Sequence, residues 1–262
     1  PLCAAIGGGG QLIRWNLPRR VAAWKRCPAL ACGNTDILKQ AEQTPLSALR
    51  IGELAMEVGF PDGVINIITG FGPDSAGSAI SEHMDIDKVA FTGEENTGRI
   101  IVKASTGNLK RVSLELGGKA PNIVFADADI DAAVKGAITG IFFNQGQCCC
   151  AGSRLFVQQS IFDKVVEGVA DRAKQIKVGP GLDPDTEMGP MVSESQFNRV
   201  CGYIESGLSE GAKAVAGGRK RDGKGYFVEP TVLVDTTPDM KVIREEIVGP
   251  VVTAIPLKEV ED

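Results

Sequence analysis

The residues of this chain that could do chemistry are concentrated at residues 144–154. Three adjacent cysteines, Cys148, Cys149 and Cys150, lie there among small and amide side chains. A thiol is nucleophilic as the thiolate, which needs hydrogen-bond donors, a helix N-terminus or a cation nearby. Small neighbours leave backbone N–H groups accessible, and Arg154 supplies a cation. The stretch therefore predicts a reactive thiol, against the alternative of a buried, inert cysteine.

Other thiol chemistry fits the pattern less well. Adjacent cysteines do not converge easily on one tetrahedral ion, and C-x₂-C spacing is absent, so no metal site is predicted. A Cys–His hydrolase would have to use His83, the one histidine, which reads better as a solvated loop residue. An odd number of irregularly spaced cysteines predicts reduced thiols, in the cytoplasm or mitochondrial matrix. The seven are Cys3, Cys27, Cys32, Cys148, Cys149, Cys150 and Cys201.

Composition limits the classes of partner. The 262 residues are 43% hydrophobic and 23% charged, which favours packed domains over disorder. The net charge is −5 and no basic stripe occurs, which argues against nucleic acid or an anionic membrane as partner. No apolar run reaches the roughly 18 residues of a spanning helix. Since the chain begins at Pro1 in mid-pattern, we expect a fragment or a processed chain.

Predicted strands and helices alternate through the first half. Strands are predicted within residues 11–18 and at 35–39, 64–68, 88–92 and 111–116. Helices are predicted at 21–32, 45–58 and 94–104, and another follows a turn at 70–73 and runs to about Ser81. Thr44 is expected to cap the second helix, and the glycines at 7–10 to form a flexible entry. This alternation predicts a parallel sheet wrapped by helices.

The second half predicts another α/β arrangement. Strands are predicted at residues 121–125, 155–158, 231–234 and 251–255, and helices at 127–143, 161–176 and 193–211. The turn at Gly117 and Gly118 is the predicted domain boundary, which gives domains at residues 1–117 and 118–262.

Ligands of parallel sheets bind beyond the carboxyl ends of the strands. Lys39, Gly70 and Gly93 follow such ends, which indicates nucleotide binding in the first domain. The fingerprint G-x-G-x-x-G is absent, and residues 93–98 offer only a strand–Gly–helix start. That start could cradle a phosphate or be a plain turn. Glu115 precedes the boundary glycines. It could be a catalytic base or a surface carboxylate at a strand end.

These motifs together resemble the NAD(P)-dependent aldehyde dehydrogenase family, most of all the members that oxidise simple or retinal-like aldehydes. Residues 143–150 are similar to the family's cysteine motif and residues 114–119 to its glutamate motif, with matching spacing. Trp15-Asn16, Lys39 with residues 42–45, and residues 70–73, 91–93 and 245–250 also fall in family order. The resemblance implies the aldehyde dehydrogenase fold, a Rossmann-like cofactor domain plus an α/β catalytic domain. It also implies that the first part of the cofactor domain precedes Pro1, and that the end of the catalytic domain, with the oligomerisation strand, follows Asp262.

The resemblance implies roles for three catalytic residues. Cys149 would attack the aldehyde carbon, and its two neighbouring cysteines would be packing residues. The Asn16 amide and the backbone N–H of Cys149 would hold the oxyanion. Glu115 would be the general base that activates water against the thioester.

It also implies a set of cofactor contacts. Lys39 and Glu42 would bind the adenosine ribose, where a carboxylate favours NAD over NADP because it repels a 2′-phosphate. Gly93 and Gly98 would open the helix facing the pyrophosphate, and Glu246 would hold the nicotinamide ribose. The full implied set is Ile13, Trp15, Lys39, Glu42, Gly72, Gly93, Glu94, Gly98, Leu116 and Glu246.

Three residues depart from the family pattern. Glu94 replaces the usual serine after Thr-Gly, Arg14 the usual proline before Trp-Asn, and Val248 an aromatic residue. The main prediction is oxidation of a small-molecule aldehyde with NAD, in a homodimer or homotetramer. A related protein with a binding or structural role, and ester hydrolysis by Cys149 without cofactor, are the alternatives.

Overall fold

The computed structural model describes residues 4–72 and 74–259. Cys3 and Pro73, which the sequence analysis includes, lie outside these described residues. The chain forms two compact units, Pro1–Gly117 and Gly118–Asp262. Both units combine helices with a five-stranded sheet, in agreement with the predicted α/β class.

Unit 1 is built on an entirely parallel sheet in the order β3-β2-β1-β4-β5. Its strands are β1 (Gly8–Leu12), β2 (Thr35–Lys39), β3 (Ile65–Ile68), β4 (Lys88–Gly93) and β5 (Arg111–Leu116). Its helices are α1 (Pro18–Ala31), α2 (Leu46–Glu57), α3 (Ala76–Glu82) and α4 (Glu95–Ser105). This strand order is that of a doubly wound dinucleotide-binding sheet.

Alternate residues of the central strand enter cores on opposite faces of the sheet. Leu12 packs with Ile80 of α3 and Ile101 of α4. Ile13, the next residue, packs with Val21 of α1 and Leu38. Side chains alternate between faces along a strand, so helices must cover both faces.

The glycine run is not a flexible entry, and that expectation was wrong. Gly8, Gly9 and Gly10 begin the central strand, paired with β2 and β4. A Cβ on Gly10 would lie 2.3 Å from Cγ2 of Ile80. Glycine here permits the close approach of α3 to the sheet, a use of strand glycine that local turn signals do not reveal.

Two helix starts also differ from the prediction. Thr44 does not cap α2: Pro45 occupies the N-cap position, and the buried Oγ1 of Thr44 has no hydrogen-bond partner among the described residues. Helix α1 begins at Pro18, before the predicted Val21, because proline is tolerated in the first turn of a helix.

Unit 2 contains a mixed sheet in the order β6-β7-β10-β9-β8, in which only β8 is antiparallel to its described neighbour. The strands are β6 (Pro121–Val124), β7 (Arg154–Gln158), β8 (Lys213–Ala216), β9 (Thr231–Val234) and β10 (Val251–Leu257). The helices are α5 (Ile130–Phe142), α6 (Phe162–Gln175), α7 (Glu194–Ser209) and α8 (Lys241–Arg244). Strand β8 and helix α8 were not predicted.

Two cores stabilise unit 2. In one, Val165 and Val169 of α6 pack with Leu155 and Val157 of β7. In the other, Val200 of α7 packs with residues of β9 and β10. Among the described residues, no helix is long and apolar enough to cross a membrane.

A buried ion pair joins α1 to the sheet of unit 1. Arg26 Nε lies 2.8 Å from Asp36 Oδ2, and the two side chains are 4% and 0% exposed. Burial raises the pKa of Asp36 more than the neighbouring Arg26 lowers it. The carboxylate therefore depends on the guanidinium to remain charged at low cost.

Replacing Arg26 by Met should lower the free energy of unfolding of unit 1 by about 3–5 kcal/mol, because Asp36 would be left buried and uncompensated. Urea unfolding followed by tryptophan fluorescence measures this change, since Trp15 and Trp24 both lie in unit 1. Arg50→Ala is the control: Arg50 belongs to an exposed ion pair, so its loss should change little. Equal effects of the two substitutions would contradict the prediction.

Candidate active site

A strained turn precedes the cysteines of unit 2. Helix α5 ends at Phe142 and a 3₁₀ turn follows at Phe143–Gly146. Within it, Asn144, Gln145 and Gly146 have φ values of 51°, 59° and 66°. For a residue with a Cβ, this left-handed conformation costs roughly 1–2 kcal/mol. Surrounding contacts must maintain the turn.

The main contact behind the turn is between two backbones. A Cβ on Gly146 would lie 2.0 Å from the carbonyl oxygen of Gly249, so only glycine fits. Gln147 adds a second anchor, since its Oε1 accepts a hydrogen bond from the backbone N–H of Val192 at 3.0 Å. These contacts hold the cysteine loop from one side.

The three cysteines have different surroundings. Cys149 is half-buried, in a turn directly after the strained segment. Cys148 packs against the core, and burial raises its pKa to about 11, which disfavours its thiolate. Cys150 is exposed, with its Sγ 3.5 Å from that of Cys148. The expectation that both neighbours are packing residues is confirmed for Cys148, which contacts the core, and is wrong for Cys150, which is exposed.

The loop of Glu246 lies against the same backbone contact. It follows α8, and Val248 within it is buried at φ 59°, an unusual conformation for a β-branched residue. Gln196 Nε2 donates to the Val248 carbonyl at 2.8 Å and stabilises this conformation. Oε1 of Glu246 is buried without a hydrogen-bond partner among the described residues, so the carboxylate can still accept a donor.

Lys119 is a feature of the site that the sequence did not single out. Its pKa is lowered to about 8, mainly by burial and to a smaller extent by Arg154, while Glu246 acts in the opposite direction. Arg154 itself donates to the Lys119 carbonyl and lies over the Phe156 ring. Its position at the end of the glutamate motif was the only available signal.

In unit 1, several of the predicted cofactor residues and the predicted catalytic residue Asn16 lie at or just after the carboxyl ends of parallel strands. Ile13, Trp15 and Asn16 follow β1, and Asn16 is buried. The Ile13 side chain lies in the core. Its backbone N–H continues the hydrogen bonding between β1 and β2 by donating to the Lys39 carbonyl at 3.1 Å. Leu116 ends β5 and packs against a core cluster. The sheet therefore gathers these residues at one edge.

Lys39 ends β2 and forms an ion pair with Glu42, and both side chains are largely shielded from solvent. Gly72 follows β3 in an exposed loop at φ 89°, where a Cβ would meet nothing within 4 Å. Glycine therefore suits this position because of its positive φ, and not because space for a side chain is lacking.

Helix α4 begins where β4 ends. Gly93 is the last residue of β4, and Gly98 packs against Leu116, whose Cδ2 would lie 3.0 Å from an added Cβ. Glu94 is the exposed N-cap, but its side chain makes no capping hydrogen bond. The first N–H groups of α4 thus receive no bond from this side chain.

Glu115 is exposed near the end of β5, and it influences a lysine on α1. The pKa of Lys25 is lowered to about 8, chiefly by burial, and Glu115 partly offsets this lowering. Nothing in the sequence indicated Lys25, because helix periodicity alone does not show which lysine faces a strand end.

Among residues 4–72 and 74–259, no group of three or more His, Cys, Asp or Glu could hold a metal ion.

Gly146→Ala should destabilise unit 2 by about 2–4 kcal/mol, because the new Cβ would overlap the Gly249 carbonyl. Gly136→Ala is the matched control: it is an exposed site on α5 where a Cβ meets nothing within 4 Å. It should stabilise by about 0.5–1 kcal/mol. Urea unfolding followed by far-UV circular dichroism compares the two, and equal midpoints would refute the steric argument.

Glu115→Gln should lower the pKa of Lys25 below about 8, because it removes the carboxylate that raises it. The measurement is an NMR titration of the chain after reductive ¹³C-methylation of its lysines. Glu95→Gln, which removes an exposed carboxylate paired with Arg99, should leave the Lys25 pKa unchanged. An unchanged value in Glu115→Gln would show that the two side chains are not coupled.

Comparisons with known proteins agree with the motifs. The aldehyde dehydrogenase family model matches residues 3–262. Human retinal dehydrogenase 2 is 53% identical over 258 residues, which cover 98% of this chain and 50% of that protein. An aldehyde dehydrogenase of Davidiella tassiana is 55% identical, over 98% of this chain and 52% of its own length. The chain thus spans about half the length of these relatives.

A solved NAD⁺ complex of an aldehyde dehydrogenase from Bacillus cereus has the same fold. It is 50% identical, with a TM-score of 0.96, over 98% of this chain and 52% of that one. The predicted fold class is confirmed by this similarity. The chain belongs to the aldehyde dehydrogenase family.

Proposed function

We propose that this chain carries the catalytic thiol of an NAD-dependent aldehyde dehydrogenase, which oxidises an aldehyde to the carboxylic acid. The observation that carries the proposal is Cys149, half-buried in a turn that the Gly146–Gly249 contact holds in place. The family motif surrounds it. Residues 1–117 would be part of the NAD-binding domain and residues 118–262 part of the catalytic domain.

The residues of unit 1 fit a dinucleotide. The partly buried Lys39–Glu42 pair lies at a strand end, where both groups can bind ribose hydroxyls. Glu42 would repel a 2′-phosphate, which favours NAD over NADP. The capping position of α4 carries no side-chain bond, so its N–H groups suit a phosphate. Ile13, Trp15, Gly72, Gly93, Gly98 and Leu116 would contribute further contacts, and Glu246 of unit 2 would accept from the nicotinamide ribose.

The chemistry assigns one task to each catalytic residue. Cys149 Sγ, as the thiolate, attacks the aldehyde carbon and forms a thiohemiacetal. The Asn16 amide and the Cys149 N–H stabilise the oxyanion, and one such donor can contribute about 2.7–4 kcal/mol. NAD, when bound, supplies the hydride acceptor for this oxidation. Glu115 then takes a proton from the water that hydrolyses the resulting thioester.

The substrate proposed is an aldehyde of the simple or retinal-like class. The relatives named retinal dehydrogenase support that class, and single methylenes alter such preferences by only ~1–3 kcal/mol. The proposed assembly is a homodimer or homotetramer. The proposed location is the cytoplasm or mitochondrial matrix, because thiols remain reduced there.

Cys149→Ala should abolish NADH formation from an aldehyde in protein that contains the complete family fold, because no covalent intermediate can form. Absorbance of NADH measures the rate. Cys150→Ala is the matched control: that thiol is exposed and adjacent, and its loss should leave most of the rate.

Retained NADH formation in Cys149→Ala would reject the assignment of the nucleophile. A protein with only a binding or structural role would show no NADH formation before substitution. Turnover of an activated ester by the unsubstituted protein without NAD, together with no aldehyde oxidation, would instead support a hydrolase.

A further inference from the structure

One face of helix α7 binds the loop that carries Glu246. The side chains of Gln196, Arg199 and Tyr203 are spaced three and four residues apart, so they lie along one side of this helix. Each donates a hydrogen bond to the segment that follows α8. A single helix face therefore holds the four successive residues 245–248.

Three of these hydrogen bonds go to backbone carbonyls, in the order of the chain. Arg199 Nη2 donates to the carbonyl of Glu246 at 2.8 Å. Gln196 Nε2 donates to the carbonyls of Ile247 at 3.1 Å and of Val248 at 2.8 Å. These bonds determine the path of the backbone at Glu246 and just after it.

Tyr203 binds a side chain at the beginning of the same segment. Its hydroxyl donates to Oε2 of Glu245 at 2.7 Å. Glu245 is the C-cap of α8, where its N–H donates to the Lys241 carbonyl at 2.9 Å. Tyr203 thus attaches to α7 the point at which α8 ends and the loop of Glu246 begins.

The surroundings of Tyr203 keep its hydroxyl a donor. The Arg199 guanidinium lies over its ring, with Cζ 5.4 Å from the ring centre, and the ring packs against the core that contains Val200. Burial raises the pKa of Tyr203, and the hydrogen bond to Glu245 also raises it, while Arg199 acts in the opposite direction. The hydroxyl therefore stays protonated at neutral pH, and its bond to a carboxylate is stronger than one between neutral groups.

The position of the Glu246 carboxylate depends on this backbone. Its Oε1 is buried and has no hydrogen-bond partner within the part of the chain that the structure describes. No contact at that atom directs the carboxylate, so its position follows the backbone, which α7 holds on both sides of Glu246.

We propose that Tyr203 is a positioning residue for cofactor binding, which acts through Glu245 on the loop that presents Glu246 to the nicotinamide ribose. This role rests on the proposed NAD-dependent function. Tyr203 itself would touch neither the cofactor nor the aldehyde.

The test compares Tyr203→Phe with the unsubstituted protein, both with the complete family fold. The substitution removes one hydroxyl and keeps the ring beneath Arg199. The Kd of NAD, measured by calorimetry without aldehyde, should rise about threefold to tenfold, because a hydrogen bond that orders the loop is lost. The KM for NAD should rise similarly and kcat should change by less than about twofold, because the ribose contact is made equally in the ground state and the transition state.

Variants of Glu245 test whether the effect passes through this residue. Glu245→Ala should weaken NAD binding as much as Tyr203→Phe, and the double variant should lose no more than either alone, since both remove the same hydrogen bond. Glu245→Gln keeps an oxygen that can accept from the hydroxyl, so it should retain most of the affinity. Tyr226→Phe is the matched control: this other tyrosine of the chain packs with Phe197, and its variant should bind NAD as the unsubstituted protein does.

A Kd for Tyr203→Phe within about twofold of the unsubstituted value would overturn the role of Tyr203 alone, and so would additive losses in the double variant. A fall in kcat with an unchanged KM for NAD, or an equal loss of affinity in Tyr226→Phe, would also overturn it. Absence of saturable NAD binding by the unsubstituted protein would instead overturn the proposed function on which this role rests.

Discussion

The approach of Gly146 to Gly249 is the contact on which the candidate site of unit 2 depends. No side chain fits at Gly146, because the Gly249 carbonyl occupies the place of its Cβ. Gly249 in turn lies over Val200 of α7, which is 2.5 Å from the position of a Cβ. The loop of Cys149 and the loop of Glu246 are therefore packed against each other through backbone. Such a contact permits little adjustment, since protein interiors are densely packed.

Strain on both sides of this contact is consistent with a functional loop. Asn144, Gln145 and Val248 all have positive φ, although each has a Cβ. Hydrogen bonds from Gln196 and to Gln147 maintain these conformations. Backbone strain persists only where the surroundings over-determine it, and it is concentrated at functional sites.

Much of the fold could be predicted because hydrophobic patterns and turn signals agreed locally. Strands β2, β5 and β9 have the predicted bounds, since each is a short run between clear breaks. The errors occurred where packing overruled local preference. Glycines at the start of β1 indicated flexibility, yet α3 packs so closely that Gly10 cannot carry a Cβ. Strand β8 was missed because its first two residues, Lys213 and Ala214, are exposed and show no alternation.

The sequence by itself determined the class of fold and the family, and it indicated the candidate catalytic residues. It could do so because Cys149, Glu115 and Asn16 lie in motifs with characteristic spacing. Tertiary structure decided which thiols are buried, and it revealed Lys25 and Lys119 as lysines whose pKa burial lowers to about 8. It also showed that the buried Nη1 of Arg14 has no partner among the described residues. Burial and unsatisfied hydrogen bonds depend on neighbours distant in the chain, so no local pattern can encode them.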